Sequence, residues 1–245
     1  MTLTWLVTGF VVLVTHGLEA ITGFGCTVLA MPFVSMLLGL GKAKFLLAVL
    51  AWVLALYFVI TAFRKIVWKE FGIILFFVGL GLPLGMWAYQ VLDKVLLTKA
   101  LAVFILFSAG YQLWKRFLPA REGASKGLPT PFYWVLLFLG GIVHGAFATG
   151  GPLVVLYASR TLPDKGNFRS TLVLLWVTLN SVLMTQFYLQ GMFTTESLGE
   201  LGLMSPFLIA GIIAGEFAHR RVDSDLFAKI VFSMLFVTGI VMLVV

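Results

Sequence analysis

Two short clusters rich in glycine lie inside otherwise apolar stretches of the chain. The first consists of Thr22, Gly23, Phe24 and Gly25, and the second of Thr149, Gly150, Gly151 and Pro152. Glycine and proline end α-helices, so each cluster is predicted to break one. Amide N–H groups at the start of the next helix carry partial positive charge, and glycine lets a ligand approach them. The clusters therefore predict a site for a small anion, to which the two threonine hydroxyls would add donors.

The alternative is that glycines only allow helices to pack closely, as small residues do in membrane bundles. We prefer this alternative for glycines outside the two clusters: Gly79, Gly81, Gly85, Gly211 and Gly215. The clusters differ because they occur in both halves of the chain and the second includes a proline. If each is a helix break, both breaks are able to converge on one site.

Three titratable residues stand close to the clusters. His16 and His144 occupy matching positions before them, and Glu19 follows His16 by three residues, which places both on one helix face. These three residues are predicted to take part in proton coupling. The counterpart of Glu19 in the second half is Phe147, so coupling would be asymmetric. The alternatives are a histidine that bonds a backbone carbonyl and a glutamate that faces water at the interface.

Two further polar residues complete the predicted site. Asn180 lies within an apolar segment and is predicted to line a cavity, while Arg169 stands at the inner mouth of that segment, where it would attract anions. The alternative is that Arg169 only adds to the positive charge that orients the protein in the membrane. Trp52 and Trp176 lie in matching segments and are interpreted mainly as packing residues.

The elements that must position these residues are membrane helices. Hydrophobic residues make up 61% of the 245 residues and charged residues 11%, a composition that excludes an ordinary soluble domain. The net charge of +7 comes from Lys and Arg in short gaps between apolar runs, which favours a role in topology over nucleic-acid binding. Eight apolar segments follow, of which six have about the length of one membrane crossing. The first (3–40) and the fifth (132–159) are longer, and they contain the clusters.

The chain divides into two similar halves. Residues 1–117 form the first predicted membrane repeat, 118–130 a basic loop, and 131–245 the second repeat. Gly85, Asp93 and Lys99 recur 130 positions later as Gly215, Asp223 and Lys229. Asp93 and Asp223 are interpreted as N-caps of the helices that follow. The repeated spacing predicts an internal duplication.

Charge bias indicates how the halves are oriented, because Lys and Arg accumulate in cytoplasmic loops. If segments one and five are re-entrant hairpins, thirteen of the seventeen basic residues lie on one side. The four on the other side are Lys42, Lys44, Lys94 and Lys99. If all eight segments instead cross the membrane once, the basic residues are divided more evenly between the two sides. The hairpin topology makes the second half inverted relative to the first, as in many transporters, and places both termini outside.

The duplicated eight-segment plan resembles the sulfite exporter TauE/SafE family of transporters. The resemblance spans essentially the whole chain and is carried by Gly23-Phe24-Gly25 with Pro32, by Gly150-Gly151-Pro152, and by the repeat ends at Gly85 and Gly215. Many members have a richer Gly-x-Gly-Gly-Gly pattern in both breaks. The resemblance implies a substrate class of small sulfur-containing anions, such as sulfite and organosulfonates including sulfoacetate, moved with the help of the proton gradient.

The sequence thus predicts an all-α polytopic protein of the cell inner membrane, a secondary transporter that exports small sulfur-containing anions. A passive anion channel and a transporter of another small carboxylate or metabolite are the alternatives. An integral-membrane enzyme is less favoured, because the residues form no nucleophile–base set, metal motif or phosphate loop. No catalytic residue, metal or cofactor is expected. The expected partners are the anion and membrane lipid, without nucleic acid, and a homodimer is left open.

Overall fold

A computed structural model describes residues 2–117 and 129–218 and, near the C-terminus, 232–233, 236–237 and 239–244. Most of the predicted basic loop (118–130) therefore lies outside the described residues. So do Asp223 and Lys229, which belong to the second copy of the repeated spacing.

The described residues form nine α-helices and no strand. In chain order they are α1 (Leu3–Thr22), α2 (Cys26–Leu38), α3 (Leu40–Ala62), α4 (Trp68–Val91), α5 (Lys94–Phe117), α6 (Thr130–Phe147), α7 (Gly151–Thr161), α8 (Lys165–Leu189) and α9 (Thr195–Ala218). A short 3₁₀ turn (Phe63–Lys65) follows α3. The prediction of an all-helical protein is confirmed.

Six of these helices are long and apolar enough to cross a membrane: α1, α3, α4, α5, α8 and α9. Large apolar side chains such as Phe10, Ile60 and Phe107 are more than half exposed on their outer faces. Water would not tolerate so much exposed apolar surface, whereas lipid does. The prediction of several membrane-spanning helices is therefore confirmed, while the eight-segment count stays a prediction.

The first glycine cluster separates α1 from α2. Gly23 ends α1 in the left-handed conformation (φ 83°), and its N–H donates to the carbonyl oxygen of Glu19. Gly25 precedes α2 with φ 106°. Residues with a side chain rarely adopt either conformation, so the two glycines allow a turn that other residues would resist.

The second cluster separates α6 from α7 by a different route. Ala148 ends α6 with φ 56°, and its N–H donates to the carbonyl oxygen of His144. Left-handed backbone costs a non-glycine residue about 1 kcal/mol, so the surrounding packing must hold Ala148 in place. Pro152 lies in the first turn of α7, where its missing N–H has no consequence.

Each short helix folds back along its predecessor. The rings of Tyr133 in α6 and Tyr157 in α7 lie 6.4 Å apart, and the Arg160 guanidinium covers the Tyr133 ring at 5.0 Å. The start of α6 and the end of α7 therefore lie together. In the first half, the Lys42 ammonium lies 6.0 Å from the Trp5 ring, so the chain that follows α2 returns to the start of α1.

The two halves are interleaved rather than side by side. In the first half, α1 packs along α9 of the second half, and α4 packs along α6. Both contacts depend on glycines without room for a side chain: Gly17, Gly211 and Gly215 in the first, and Gly81, Gly85, Gly141 and Gly145 in the second. Gly79, by contrast, faces open space. The packing interpretation is thus supported for four of the five glycines outside the clusters.

We expect Gly85→Ala to destabilise the protein. A Cβ there would press on the carbonyl oxygen of Ile142 and lie 2.8 Å from the amide nitrogen of Ala146, so α4 and α6 would have to separate. Overpacking of this kind costs about 1–3 kcal/mol. Thermal unfolding in detergent measures the effect, with Gly79→Ala as the matched control on the same helix. Equal melting temperatures for the two variants would contradict this account.

The central pair of helices is α3 and α8, which run antiparallel. Phe58 of α3 lies against Arg169 of α8, and at the other end Phe45 lies against Phe187, with ring centroids 5.4 Å apart. At the periphery Gly110 of α5 lies against Phe236 near the C-terminus. The start of α5 carries the predicted cap, because the Asp93 carboxylate accepts hydrogen bonds from the amides of Val95 and Leu96.

Candidate functional site

Both glycine clusters border one small cavity in the middle of the bundle. Its walls come from both halves and are formed by Glu19, Gly25, Thr27, Val28, Ala51, His144, Ala148, Gly151, Trp176 and Asn180. We call it the central cavity. Its volume is about 20 Å³, which is enough for about one water molecule.

Trp176 joins the two clusters across this cavity. Its indole N–H donates to the carbonyl oxygen of Gly23, 3.0 Å away. A Cβ added to Gly151 would lie 3.9 Å from both the Trp176 ring and the Phe24 ring. The interpretation of Trp176 as mainly a packing residue was therefore too narrow, because its ring is also a wall of the cavity.

Glu19 caps the start of α2 from the cavity wall. Its Oε2 accepts a hydrogen bond of 2.8 Å from the amide of Cys26, the first residue of α2. The residue is 3% exposed, so it does not face water as the alternative interpretation required. A carboxylate at a helix start has the charge that the free amides favour. Glu19 thus occupies at α2 the kind of position that a bound anion would take.

The start of α7 differs because no side chain caps it. The amides of the first turn have no partner within the helix, and Gly151 forms part of the cavity wall. The first helix start is therefore filled by Glu19, whereas the start of α7 has no side-chain cap and places Gly151 at the cavity wall.

His144 and Asn180 form the polar wall beside α7. His144 Nε2 lies 3.2 Å from Asn180 Oδ1, and since a carbonyl oxygen only accepts, Nε2 carries the proton in this arrangement. The imidazole stacks on Trp176 at 5.7 Å with an angle of 17° between the rings. Its Nδ1 is buried without a partner. His144 therefore has one free nitrogen for a ligand or a proton.

His16 does not reach the cavity. Its Nδ1 lies 2.9 Å from the carbonyl oxygen of Val12 in the preceding turn, and its Nε2 is buried without a partner. No described side chain links it to Glu19. The alternative interpretation, a histidine that bonds the backbone, describes this residue better than a proton relay with Glu19.

The remaining cluster residues stand behind the cavity wall. The Thr22 hydroxyl lies within hydrogen-bond distance of the carbonyl oxygens of Leu18 and Phe24, and it does not line the cavity. Thr149 is fully buried, and its hydroxyl has no partner. The threonine that lines the cavity is Thr27, which the sequence pattern does not distinguish. Gly23, Gly150 and Pro152 shape the turns without lining the cavity.

Arg169 lines a second, larger cavity of about 520 Å³. We call it the basic vestibule because Arg64, Lys65 and Arg169 line it, with Glu216 as the acidic residue. The Arg169 guanidinium lies 3.8 Å above the ring of Phe58. The Arg169 backbone packs against Gly23, where a Cβ would lie 2.9 Å from its Cα. Arg169 therefore stands between the vestibule and the first helix break.

Lys44 is the polar residue that the sequence analysis missed as a site candidate. It is 1% exposed, and its ammonium donates to the carbonyl oxygen of Gly145, 2.7 Å away. In the sequence, Lys44 is one of the basic residues that indicate topology. Nothing in the sequence distinguishes Lys44 from Lys42, two residues earlier, because only the folded bundle places Lys44 beside His144.

Metal binding finds no support in the described part of the chain. There, no group of three or more His, Cys, Asp or Glu side chains is placed to hold an ion. The residues on the central cavity wall carry one carboxyl, one imidazole, one amide and one hydroxyl group, of which the last three can donate hydrogen bonds.

Comparison with known proteins agrees with these features. The chain is 25% identical over 182 residues to "Probable inner membrane transporter protein TsaS" of Comamonas testosteroni, covering 73% of each protein. No solved structure matches significantly. The relative and the six long apolar helices confirm the predicted location as a multi-pass inner-membrane protein. Residues 7–242 match the model described as "Sulfite exporter TauE/SafE", and the chain therefore belongs to the sulfite exporter TauE/SafE family of membrane transporters.

Proposed function

We propose that the protein is a secondary transporter that exports small sulfur-containing anions, sulfite or organosulfonates such as sulfoacetate, in a proton-coupled process. Family membership and the name of the relative support a membrane transporter. The single observation that carries the site proposal is the central cavity, where two helix starts meet between the halves. Helix starts inside a membrane protein favour anions because their amides point into a region without water.

The uncapped start of α7 would hold the anion. The amides of Gly151 and Leu153 are the donors of its first turn, since Pro152 has no N–H. Asn180 lines the same cavity, and protonated His144 would donate from Nδ1. The Trp176 ring stacks on the imidazole and fixes its orientation. Donors from a backbone turn and from two side chains suit an oxyanion with several oxygens better than a halide, which needs fewer directed bonds.

The size of the central cavity favours a carrier over a channel. About 20 Å³ holds a water molecule, whereas sulfite has three oxygens around sulfur and needs more room. The helices around the clusters must therefore move apart before the anion enters. A channel would instead need a continuous path through the bundle. The basic vestibule would collect anions on the side from which export begins.

Glu19 would couple this movement to protons. Its carboxyl group occupies the start of α2, and Glu19 lines the same cavity as the uncapped start of α7. Two negative charges in one small cavity shielded from water repel each other strongly. A substrate anion therefore binds with least cost when Glu19 carries a proton. His144 is the other titratable side chain on the described cavity wall.

The two halves would form an inverted repeat with re-entrant pairs α1–α2 and α6–α7. The antiparallel contacts within each pair and the exchange of partners between halves support this arrangement. The loops that contain Thr2 and Leu92 would then lie outside and the loop that contains Pro163 inside.

Cysteine labelling from the two sides of the membrane tests this topology. We expect Thr2→Cys and Leu92→Cys to react with an impermeant reagent from outside, and Pro163→Cys only from inside. All three positions are exposed, and the native Cys26 is buried. Eight simple crossings predict a different result, in which Leu92→Cys and Pro163→Cys react from the same side.

Flux of sulfite and sulfoacetate into proteoliposomes, with and without an imposed pH gradient, tests the function. We expect saturable flux that responds to the gradient. Flux that rises linearly with concentration and ignores pH would favour a passive channel. Folded protein that moves no sulfur anion faster than empty liposomes would contradict the proposed substrate class.

A further inference from the structure

We propose that Lys44 is a second anion-binding position, on the far side of the central cavity from the basic vestibule. It would take the same small anion as that cavity, so this inference rests on the proposed function. The position is distinct from the helix starts, because it is a buried ammonium between α3, α4, α6 and α8 rather than a set of backbone amides.

Lys44 is buried without an acidic partner. In the part of the chain that the structure describes, ion pairs join Lys42 to Glu196 and Glu200, and no carboxylate lies beside Lys44. Its ammonium has three N–H groups, but among the described residues the carbonyl of Gly145 is the one oxygen that accepts from it. Burial of a charge without a counter-charge is costly. A transported anion would supply the missing negative charge.

A second positive charge lies near the Lys44 ammonium and would favour the binding of an anion there. The ring of Tyr89 lies 4.0 Å from the Lys44 ammonium and 3.9 Å from the Lys94 ammonium. Two ammonium groups thus share one aromatic ring near the end of α4. Their mutual repulsion is relieved when an anion enters between the lysines and the cavity.

The face of α3 links this position to both cavities. Lys44, Ala51 and Phe58 follow one another at intervals of seven residues, which places all three on one face. Phe58 lines the basic vestibule, Ala51 lines the central cavity, and Lys44 lies beyond it. One side of a single helix therefore passes the vestibule, the cavity and the buried ammonium in that order.

The face of α8 repeats this order from the opposite direction. Arg169 lines the vestibule, and Trp176 and Asn180 line the central cavity. Phe187 lies near the Lys44 ammonium, with 5.9 Å between the nitrogen and the ring centre. The positions are separated by seven, four and seven residues and span about 27 Å along the helix, close to the thickness of the hydrocarbon core. Lys44 therefore lies at the far end of a row of residues that spans about the thickness of the hydrocarbon core.

The link from the cavity to Lys44 is short. The ammonium bonds the carbonyl oxygen of Gly145, which follows His144 directly in the chain. His144 lines the central cavity. An anion released from the start of α7 would therefore meet Lys44 as the next positive charge on the side opposite Arg169.

The experiment compares Lys44→Gln and Lys44→Met with Lys42→Gln, a matched control two residues away on the same helix. Sulfite is the probe. We measure the KM for sulfite flux in proteoliposomes and the rise in melting temperature that sulfite causes in detergent. Both Lys44 variants are expected to raise KM by about tenfold to a hundredfold, the loss of one charge-assisted hydrogen bond. They are also expected to lose most of the sulfite-induced rise in melting temperature.

Lys44→Arg keeps the positive charge, so its affinity for sulfite is expected to lie between the affinities of the Lys44→Gln variant and the wild type. A lysine that only packs against its neighbours would show no such dependence on charge. Lys44→Met keeps the length of the stem, so packing survives if Lys44→Gln does not fold. Wild-type affinity in a folded Lys44→Met or Lys44→Gln variant would overturn the assignment of Lys44. A wild-type protein that does not respond to sulfite would instead contradict the proposed function.

Discussion

Gly151→Leu is expected to reduce sulfite flux to the level of empty liposomes while the protein still folds. A Cβ at this position meets nothing closer than 3.9 Å, so the backbone does not have to move. The rest of the leucine side chain is larger than the cavity of about 20 Å³, so it would fill the cavity and press on Phe24 and Trp176, at a cost of about 1–3 kcal/mol. It would cover the uncapped start of α7, where we place the anion. Flux of radiolabelled sulfite into proteoliposomes measures the loss.

Gly79→Leu is the matched control, because Gly79 faces open space on a membrane helix. Gly151→Ala should give an intermediate flux, since its methyl group reaches only van der Waals contact. Gly150→Leu is a poor test, because a Cβ there would lie 2.8 Å from Cβ of His144 and press on the carbonyl oxygen of Gly140. Normal flux in a folded Gly151→Leu variant would show that the anion does not bind at the start of α7.

The helical membrane fold could be predicted from the sequence, because the bilayer alone sets the apolar composition and the length of the segments. The apolar runs had to be helices, since every backbone amide in lipid needs an internal partner. The glycine clusters stand where helices end because φ near +83° and +106° at Gly23 and Gly25 favours glycine. At Ala148, however, the same conformation is held by packing, and no residue pattern signals it.

The members of the site were harder to predict because the halves interleave. Glu19, His144 and Asn180 were selected as polar residues inside apolar segments, and all three line the central cavity. His16 was selected because it matches His144, and Thr22 because it belongs to a glycine cluster, but their side chains bond the backbone of their own helix or turn. Sequence symmetry does not tell which of two matching residues faces the cavity.

Lys44 shows a second limit of prediction from sequence, because it lies near the site but was not selected as a site residue. Its neighbour Lys42 has the same charge, but its side chain is 40% exposed and forms ion pairs with Glu196 and Glu200. Two positions along α3 rotate a side chain by more than half a turn, so one lysine reaches the surface and the other the interior. The direction of that rotation relative to α4 and α8 depends on tertiary packing, which hydropathy does not reveal.

Glu19→Gln is expected to abolish the stimulation of sulfite flux by a pH gradient while sulfite exchange continues. Glutamine has nearly the same size, and its side-chain oxygen still accepts from the amide of Cys26, so the start of α2 keeps its cap. It does not titrate, and it resembles the protonated glutamate. The anion therefore binds without a proton, and movement of the anion is no longer linked to the gradient.

Two assays separate these effects: accumulation of sulfite driven by a pH gradient, and exchange of internal for external sulfite at equal pH. Glu196→Gln is the control, because its carboxylate forms an ion pair with Lys42 and its side chain is 80% exposed. It should behave as the wild type in both assays. If the Glu19→Gln variant still accumulates sulfite against its gradient, another group carries the proton, and His144 becomes the next candidate on the cavity wall because its Nδ1 is buried without a partner.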